Sequence, residues 1–434
     1  MYYPENADQV RELVLEARQK GTALVAVSSG PPHFHGASEN PSAETVCFSK
    51  MDRILKIDRR SRYARVEPGV CFGELIPKLA EQGMRLNLPF LVRANKSVVA
   101  SALDKEAVLI PKYQYDYTDP LLTVETVFGT GEVFRSGSAA GPGTPEENNA
   151  DMVLPWGPGT IDYLRFLCGA QGTIGLVTWG TLKTEVLPKA SKLFFVEAES
   201  AEALIKLADT LLLRRIPDEC VILSRENFAA AFSDDEAERE ALSGVAPWVL
   251  LCRVCGFERY PEERLAIYTG YLEDAVREAG LTLKSSLGLM AGLEEKIEKM
   301  LTDCDRRERS WKLRRGASRE ILFTAPPSRT PALLELLRRG FPQAGFTVQP
   351  QVLGRAYRVE CDLLLEDDPA ALREADARIF RAQRTLLSCG AVFERPYGRL
   401  PELVYTEPLA TEAMRKLKRI FDPDNVLNPG RLCY

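Results

Sequence analysis

The stretch Cys168-Gly-Ala-Gln-Gly-Thr-Ile-Gly-Leu-Val-Thr178 places Gly169, Gly172 and Gly175 at regular intervals just behind an aromatic run. Glycine lacks a Cβ and adopts positive φ without steric cost, so such a turn can bring peptide N–H groups against a flat or anionic ligand. The same spacing also suits a tight turn between two strands, and the segment by itself leaves both readings open. The chain's two histidines, His33 and His35, share a second loop of small residues, Ser28-Ser-Gly-Pro-Pro-His-Phe-His-Gly36. Pro31 and Pro32 have no N–H to offer there. The donors left are the backbone of Gly30, His33, Phe34, His35 and Gly36 and the hydroxyls of Ser28 and Ser29.

The elements around these loops are legible from periodicity. Pro4 opens a helix with Val10, Leu13, Val14 and Ala17 on one face, Gly21 ends it, and the strand Ala23 to Val27 feeds the histidine loop. Arg53 to Asp58 and Tyr63 to Glu67 read as paired strands, Phe72 to Gln82 as a helix, and Thr123 to Arg135 as a hairpin around Gly129-Thr-Gly131. Ser136 to Asn149, without periodicity, reads as a surface loop. Past Val186-Leu-Pro188 the pattern shifts to strands at 192–197, 219–224, 248–255, from Ile321 and at 358–364, alternating with helices at 201–215, 261–279, 331–339 and 369–388. Units of this length form an antiparallel sheet with helices stacked on one face, an α+β arrangement. The charged segment Gly292 to Arg309 reads as a solvated or lid helix, and no internal repeat is visible.

Composition narrows the function. The 434 residues carry 45% hydrophobic residues, enough for two folded domains. Net charge is -5, from 61 acidic and 56 basic residues without a basic stripe, which argues against a nucleic-acid partner. No segment approaches the roughly 18 apolar residues of a membrane span, and the first residues lack an export signal, so a cytoplasmic protein is expected. The ten cysteines lie among hydrophobic neighbours, as reduced buried thiols do. Cys252-Arg-Val-Cys255 has metal spacing but no second pair and lies in a strand-like run, so no metal site is expected.

Four segments together carry a family resemblance: the histidine loop, Val66-Glu-Pro-Gly-Val70 leading into a helix, the Gly172 turn, and the closing Phe421-Asp-Pro-Asp-Asn-Val-Leu-Asn-Pro-Gly430. In order and spacing they resemble the FAD-binding fold of vanillyl-alcohol oxidase and 4-cresol dehydrogenase, nearest to the flavin-dependent glycolate and D-lactate dehydrogenase subunits. The resemblance implies a two-subdomain FAD-binding domain over 1–188, an antiparallel-sheet cap or substrate domain over 189–409, and a C-terminal segment, 410–434, returning to the first. It implies FAD as cofactor, held through Ser29, Gly30, His33, Phe34, His35 and Gly36 and through Pro68, Gly69 and Val70. Ser97, Ala100 and Ser101 stand where relatives have small residues, and Gly172, Thr173, Gly175, Val177 and Asn428 complete the set. Some relatives bind the flavin covalently through a histidine of the first loop, which makes His33 and His35 candidates for attachment.

The substrate side departs from the family. Where those dehydrogenases carry histidines, this chain has Gly354-Arg-Ala-Tyr-Arg-Val-Glu360 and Gly390-Ala-Val-Phe-Glu-Arg-Pro-Tyr-Gly398. Hydride abstraction benefits from a group that takes the hydroxyl proton. Tyr397 and Glu394 are the catalytic candidates, with Arg395 holding a carboxylate through its planar fork. Arg314, Arg315, Arg355 and Arg358 could anchor it too, and Tyr113, Tyr115 and Tyr117 either face the ring edge or are core. The expected activity is a dehydrogenase oxidising a small organic (2-hydroxy) acid and passing electrons to an iron-sulfur or electron-transfer flavoprotein partner. The rival is a non-catalytic or electron-transferring FAD subunit of a redox complex, and a third reading is a cofactor-free binding protein.

Overall fold

The computed structural model describes the chain except residues 34, 36–38, 112–119, 142, 148–161 and 352–354. Helix α1 (Ala7–Lys20) starts where the Asn6 side chain accepts from Gln9 N and stops at Gly21, whose φ of 65° needs no Cβ penalty. Its buried face, Val10, Val14 and Ala17, packs on the parallel pair β1 (Leu24–Val27) and β2 (Glu44–Cys47). Val426 and Leu427 complete that small core, and the chain's end bridges Leu24.

A second sheet follows. β3 (Ile54–Asp58), β4 (Tyr63–Val66), α2 (Phe72–Ala80), β5 (Met84–Leu86), α3 (Val98–Leu103), β6 (Leu121–Phe128), β7 (Val133–Arg135), α4 (Tyr163–Leu167) and β8 (Gly175–Val186) come in that order. The strands pair antiparallel as β3-β4-β8-β6-β7, with β5 also on β8. Phe72, Leu75 and Leu79 of α2 and Val98, Val99 and Ala102 of α3 bury against this sheet. The segment after β7 is less exposed than a surface loop: Ser136 Oγ accepts from Val124 N at 3.0 Å, and Gly137 and Ala139 are buried.

The third sheet has seven strands, in the order β12-β9-β11-β10-β14-β15-β13. Its elements are β9 (Ala190–Ala198), α5 (Ala201–Leu213), β10 (Glu219–Ser224), α6 (Arg225–Phe232), α7 (Glu236–Leu242), β11 (Trp248–Gly256), α8 (Pro261–Glu278), β12 (Leu283–Lys284) and α9 (Leu293–Thr302). They continue with β13 (Gly316–Ala325), α10 (Thr330–Gly340), β14 (Gly345–Gln351), β15 (Ala356–Glu366), α11 (Pro369–Ser388), α12 (Pro401–Val404) and α13 (Pro408–Phe421). Side chains alternate across a strand, so the sheet has two faces of different character. One carries Phe194, Ile222, Leu250, Phe323, Val348 and Val359 under α5, α8, α10 and α11. The other is apolar along β9, β10 and β11, where Phe228 and Phe232 of α6 and Ile297 of α9 cover it. Along β13, β14 and β15 the second face carries Glu320, Leu322, Gln349, Arg358, Glu360 and Asp362, and it looks toward the rest of the chain.

One expectation shifts. The charged helix ends at Thr302 rather than Arg309, because the chain turns extended at Asp303 and crosses to the first half, where Ala94 N donates to the Asp305 carbonyl. Cys252 and Cys255 are buried on β11, three residues apart and so on opposite faces of the strand, which keeps them from converging on one ion. Among the described residues no helix is long and apolar enough to cross a membrane.

Candidate functional site

A cleft of about 380 Å³ extends from the turn before β8 to the polar face of β13–β15. At the first end it is lined by Gln171, Gly172, Gly175, Leu176 and Val177 together with Ala26, Ser28, Ser29, Pro68 and Ala100. Gly172 has a φ of +70°, and a Cβ there would meet nothing nearer than the Ala26 Cβ at 4.0 Å, so the space its missing side chain leaves belongs to the cleft. Its N–H has no acceptor among the described residues. Phe48, Val99, Leu103 and Leu167 add apolar wall. Backbone donors at a glycine turn beside apolar walls fit a dinucleotide with a flat ring.

The turn is pinned from behind by the chain's end. Lys418, on α13 and 3% exposed, donates to the carbonyls of Thr173 at 2.6 Å and Leu427 at 2.9 Å and pairs with Asp422, itself 1% exposed. Burial pulls the Lys418 pKa down, and Asp422 opposes that pull. Asn428 donates from Nδ2 to the Gln171 carbonyl at 2.7 Å. Sequence reasoning missed Lys418. Its one signal was the four-residue spacing to Asp422, which sits inside the closing motif.

The other end is charged. Asp104 takes the hydroxyl of Tyr397 on Oδ1 and the guanidinium of Arg395 on Oδ2. Burial, and then the Asp104 charge, pushes the Tyr397 phenol well above the ordinary tyrosine range, so it stays protonated. His35 stacks on the Tyr397 ring, with centroids 3.8 Å apart and planes at 6°, and sits between Glu39 at 2.9 Å and Glu320 at 3.5 Å. Burial opposes its charge, but the two carboxylates outweigh burial and raise its pKa to about 9. Lys312 lies among Glu320 at 3.0 Å, Asp362 at 3.1 Å and Glu360, and these carboxylates hold it protonated against the cost of burial. Glu106 binds Ser101 Oγ at 2.6 Å and Lys96; burial resists its charge, but Lys96 and Arg395 take its pKa to about 2.

Of the residues singled out in the sequence, Ser29, His33, His35, Pro68, Ala100, Gly172, Gly175, Val177, Arg395 and Tyr397 line the cleft. Burial and then Arg93 lower the His33 pKa, so that ring is neutral. Others are committed elsewhere. Gly30 N–H goes to the Asn95 carbonyl at 2.7 Å, Ser97 Oγ to the Pro68 carbonyl, Ser101 to Glu106, and Thr173 Oγ1 to the Ala170 carbonyl. Gly69 and Gly175 are glycines for packing, since a Cβ would run into the Phe48 carbonyl in one and Thr126 Oγ1 in the other. Val70 is wholly buried in the core under α2. Glu394 pairs with Arg358 at 2.6 Å, and of those two only Arg358 borders the cleft. Arg314 binds Ser233, and Arg355 is exposed. Phe34, Gly36, Tyr113, Tyr115, Tyr117 and Gly354 lie outside the described residues.

The structure adds residues that no motif announced. Trp311 and Lys312 close one side of the cleft, and Gln349 reaches it from β14. Gln349 is 6% exposed, and its Nε2 has no hydrogen-bond partner among the described residues. A buried amide donor left unpaired at a cleft wall is a place for a ligand's acceptor.

Two family models match the chain: the FAD binding domain over residues 1–137 and the C-terminal domain of FAD linked oxidases over residues 402–432. The 4-cresol dehydrogenase [hydroxylating] flavoprotein subunit of Pseudomonas putida is 26% identical over 225 residues, covering 50% of this chain and 41% of that relative. Glycolate oxidase subunit GlcD of Bacillus subtilis is 22% identical over 443 residues, covering 99% of this chain and 87% of the relative. Among solved structures, p-cresol methylhydroxylase with substrate bound superposes with a TM-score of 0.80 at 19% identity, over 99% of this chain and 88% of that one.

Proposed function

We infer that this chain, an FAD-linked oxidoreductase, is a dehydrogenase that oxidises a small organic acid, of the 2-hydroxy acid class, at the charged end of the cleft. The observation that carries this reading is the continuity of one cleft from the Gly172 turn to the Gln349, Arg358 and Arg395 side chains. Bound FAD would supply a two-electron acceptor for hydride from the substrate carbon. The Gly172 N–H and the hydroxyls of Ser28 and Ser29 are the groups that would hold its phosphates. Gln349 would donate to a substrate oxygen, and Arg358 and Arg395 would set a positive potential for a carboxylate, each tempered by its own partner, Glu394 or Asp104. Tyr397, kept protonated by burial and by the Asp104 carboxylate to which it donates, is not the base. The resemblance to a glycolate oxidase subunit over nearly the whole chain supports the substrate class.

Electrons would then pass to a separate iron-sulfur or flavin protein, a reading supported by relatives described as subunits. A second reading, an FAD subunit that only relays electrons, draws on the histidines: both lie in the loop after β1, and none stands on the β13–β15 face. Anaerobic mixing of the FAD-loaded protein with a panel of 2-hydroxy acids separates the two. Bleaching of the visible flavin band by at least one acid is expected, and a band untouched by the whole panel would favour the relay. Reoxidation faster with an iron-sulfur protein than with air would mark a dehydrogenase.

A further inference from the structure

Four carboxylates line the cleft: Asp104, Glu106, Glu320 and Glu360. A proton acceptor needs an oxygen that is free to reach the substrate. Asp104 spends one oxygen on Tyr397 and the other on Arg395. Glu106 spends its pair on Lys96 and Ser101, and Glu320 gives Oε2 to Lys312 while its Oε1 faces the charged His35 ring at 3.5 Å. Glu360 gives Oε1 to Lys312, and its Oε2 has no partner among the described residues. Glu360 also shares its face of the sheet with the groups suited to hold a substrate: Arg358 is two residues before it on β15, Gln349 is Arg358's cross-strand partner, and Leu322 is opposite on β13.

We propose that Glu360, through Oε2, is the catalytic base that takes the hydroxyl proton of the substrate. The assignment rests on the oxidation reading above and replaces Tyr397 and Glu394 in that role. In the step, the substrate O–H bond breaks with its proton going to Glu360. Bound FAD would supply the acceptor for the C–H electron pair, leaving as hydride, while the carbon–oxygen double bond forms. The groups facing Glu360 are Lys312 from the turn before β13, Glu320 from β13, and Arg358 and Asp362 from β15, with His35 behind Glu320. Three carboxylates, Glu320, Glu360 and Asp362, stand around the one Lys312 ammonium, and Lys312 engages Glu360 through Oε1 alone.

The test uses FAD-loaded wild type, Glu360→Gln and Glu360→Asp. Three readouts are taken: anaerobic flavin reduction by a hydroxy-acid panel, the pH profile of that rate, and the flavin spectral shift on titration with oxalate, which has no C–H to lose. Expected for Glu360→Gln is a loss of about 100-fold or more in reduction rate, disappearance of the acidic limb of the profile, and oxalate binding within about threefold of wild type. Glu360→Asp should keep an intermediate rate, and it carries the test if the glutamine variant does not fold. Reduction of Glu360→Gln at wild-type rate would overturn the base and leave the oxidation reading standing. A parallel loss of oxalate binding would make Glu360 a binding group and overturn it too. Wild type inert to every acid would sink the oxidation reading and the base with it.

Discussion

The two ends of the cleft are built by different means. At the Gly172 end the wall is main chain, shaped by backbone torsion and clamped by Lys418 and Asn428 from the C-terminal segment. At the β13–β15 end it is side chain, and nearly every charge is answered by another within hydrogen-bond reach. A backbone site tolerates few residue types, because left-handed torsion favours glycine and a side chain at Gly172 would enter the cleft. A site made of paired side chains can be rewritten one pair at a time while the sheet beneath stays intact.

The contrast breaks most severely at the clamp. Lys418→Met leaves the Asp422 carboxylate buried with only the N–H groups of Val426 at 3.1 Å and Leu427 at 2.8 Å to satisfy it. Removing one partner of a buried pair costs about 3–5 kcal/mol. Denaturant unfolding should show a loss of that size together with weaker FAD retention, whereas Lys312→Met at the charged end should leave FAD retention near wild type.

His35 joins the two ends, and its response to pH follows from the sign of its shift. Its folded pKa of about 9 lies above the 6.5 of a free histidine, so its contribution to stability is complete below pH 6.5 and lost as pH rises through about 9. Thermal unfolding of wild type should therefore lose up to about 3 kcal/mol across that window beyond what His35→Gln loses. Glu320→Gln should move the window to lower pH, since it removes one of the carboxylates that hold the proton. Equal pH profiles for wild type and His35→Gln would remove the imidazolium from the network.

Gly172→Val tests the backbone end directly. A β-branched residue at φ of +70° is strained by about 1–3 kcal/mol, and its side chain would enter the cleft. FAD affinity, read by titration with flavin fluorescence, should fall about 100-fold, close to 3 kcal/mol. Gly175→Ala sharpens the point: its Cβ meets Thr126 Oγ1, so that variant should lose stability first and FAD affinity only as a consequence.

What could be read in the sequence divides along the same line. The glycine turn, the first helix with its close at Gly21, and the alternating strands β9 to β11 were legible because local torsion and periodicity dictate them, although that helix starts after the Asn6 cap and not at Pro4. Strand β14 was not. Its Gln349-Pro350-Gln351 end carries a residue without an N–H, and it is tolerated because β10 pairs with β14 only at Thr347 and Val348. Helix α6 was hidden as well, since Asn227 through Phe232 is buried on every side and shows no amphipathic period. Tyr397 and Arg395 were visible as types, but their roles depend on Asp104, nearly three hundred residues earlier in the chain. Glu394 and Glu360 look equally apt as bases in sequence, and only the fold distinguishes them: Glu360 lines the cleft, whereas Glu394 lies behind Arg358 and does not.

The smallest expected effect lies at the side-chain end. Gln349→Leu is close in volume and removes an amide whose Nε2 has no partner in the protein, so the fold should lose little and thermal unfolding should stay near wild type. If that amide donates to a substrate oxygen, the variant loses one neutral hydrogen bond, worth about 0.5–1.5 kcal/mol. KM for the acid that reduces the flavin fastest should then rise about three- to tenfold, with the limiting rate changed less than twofold. A variant with unchanged KM and raised stability would show instead that Gln349 is an unsatisfied donor the fold merely tolerates, and would move substrate recognition to Arg358 and Arg395.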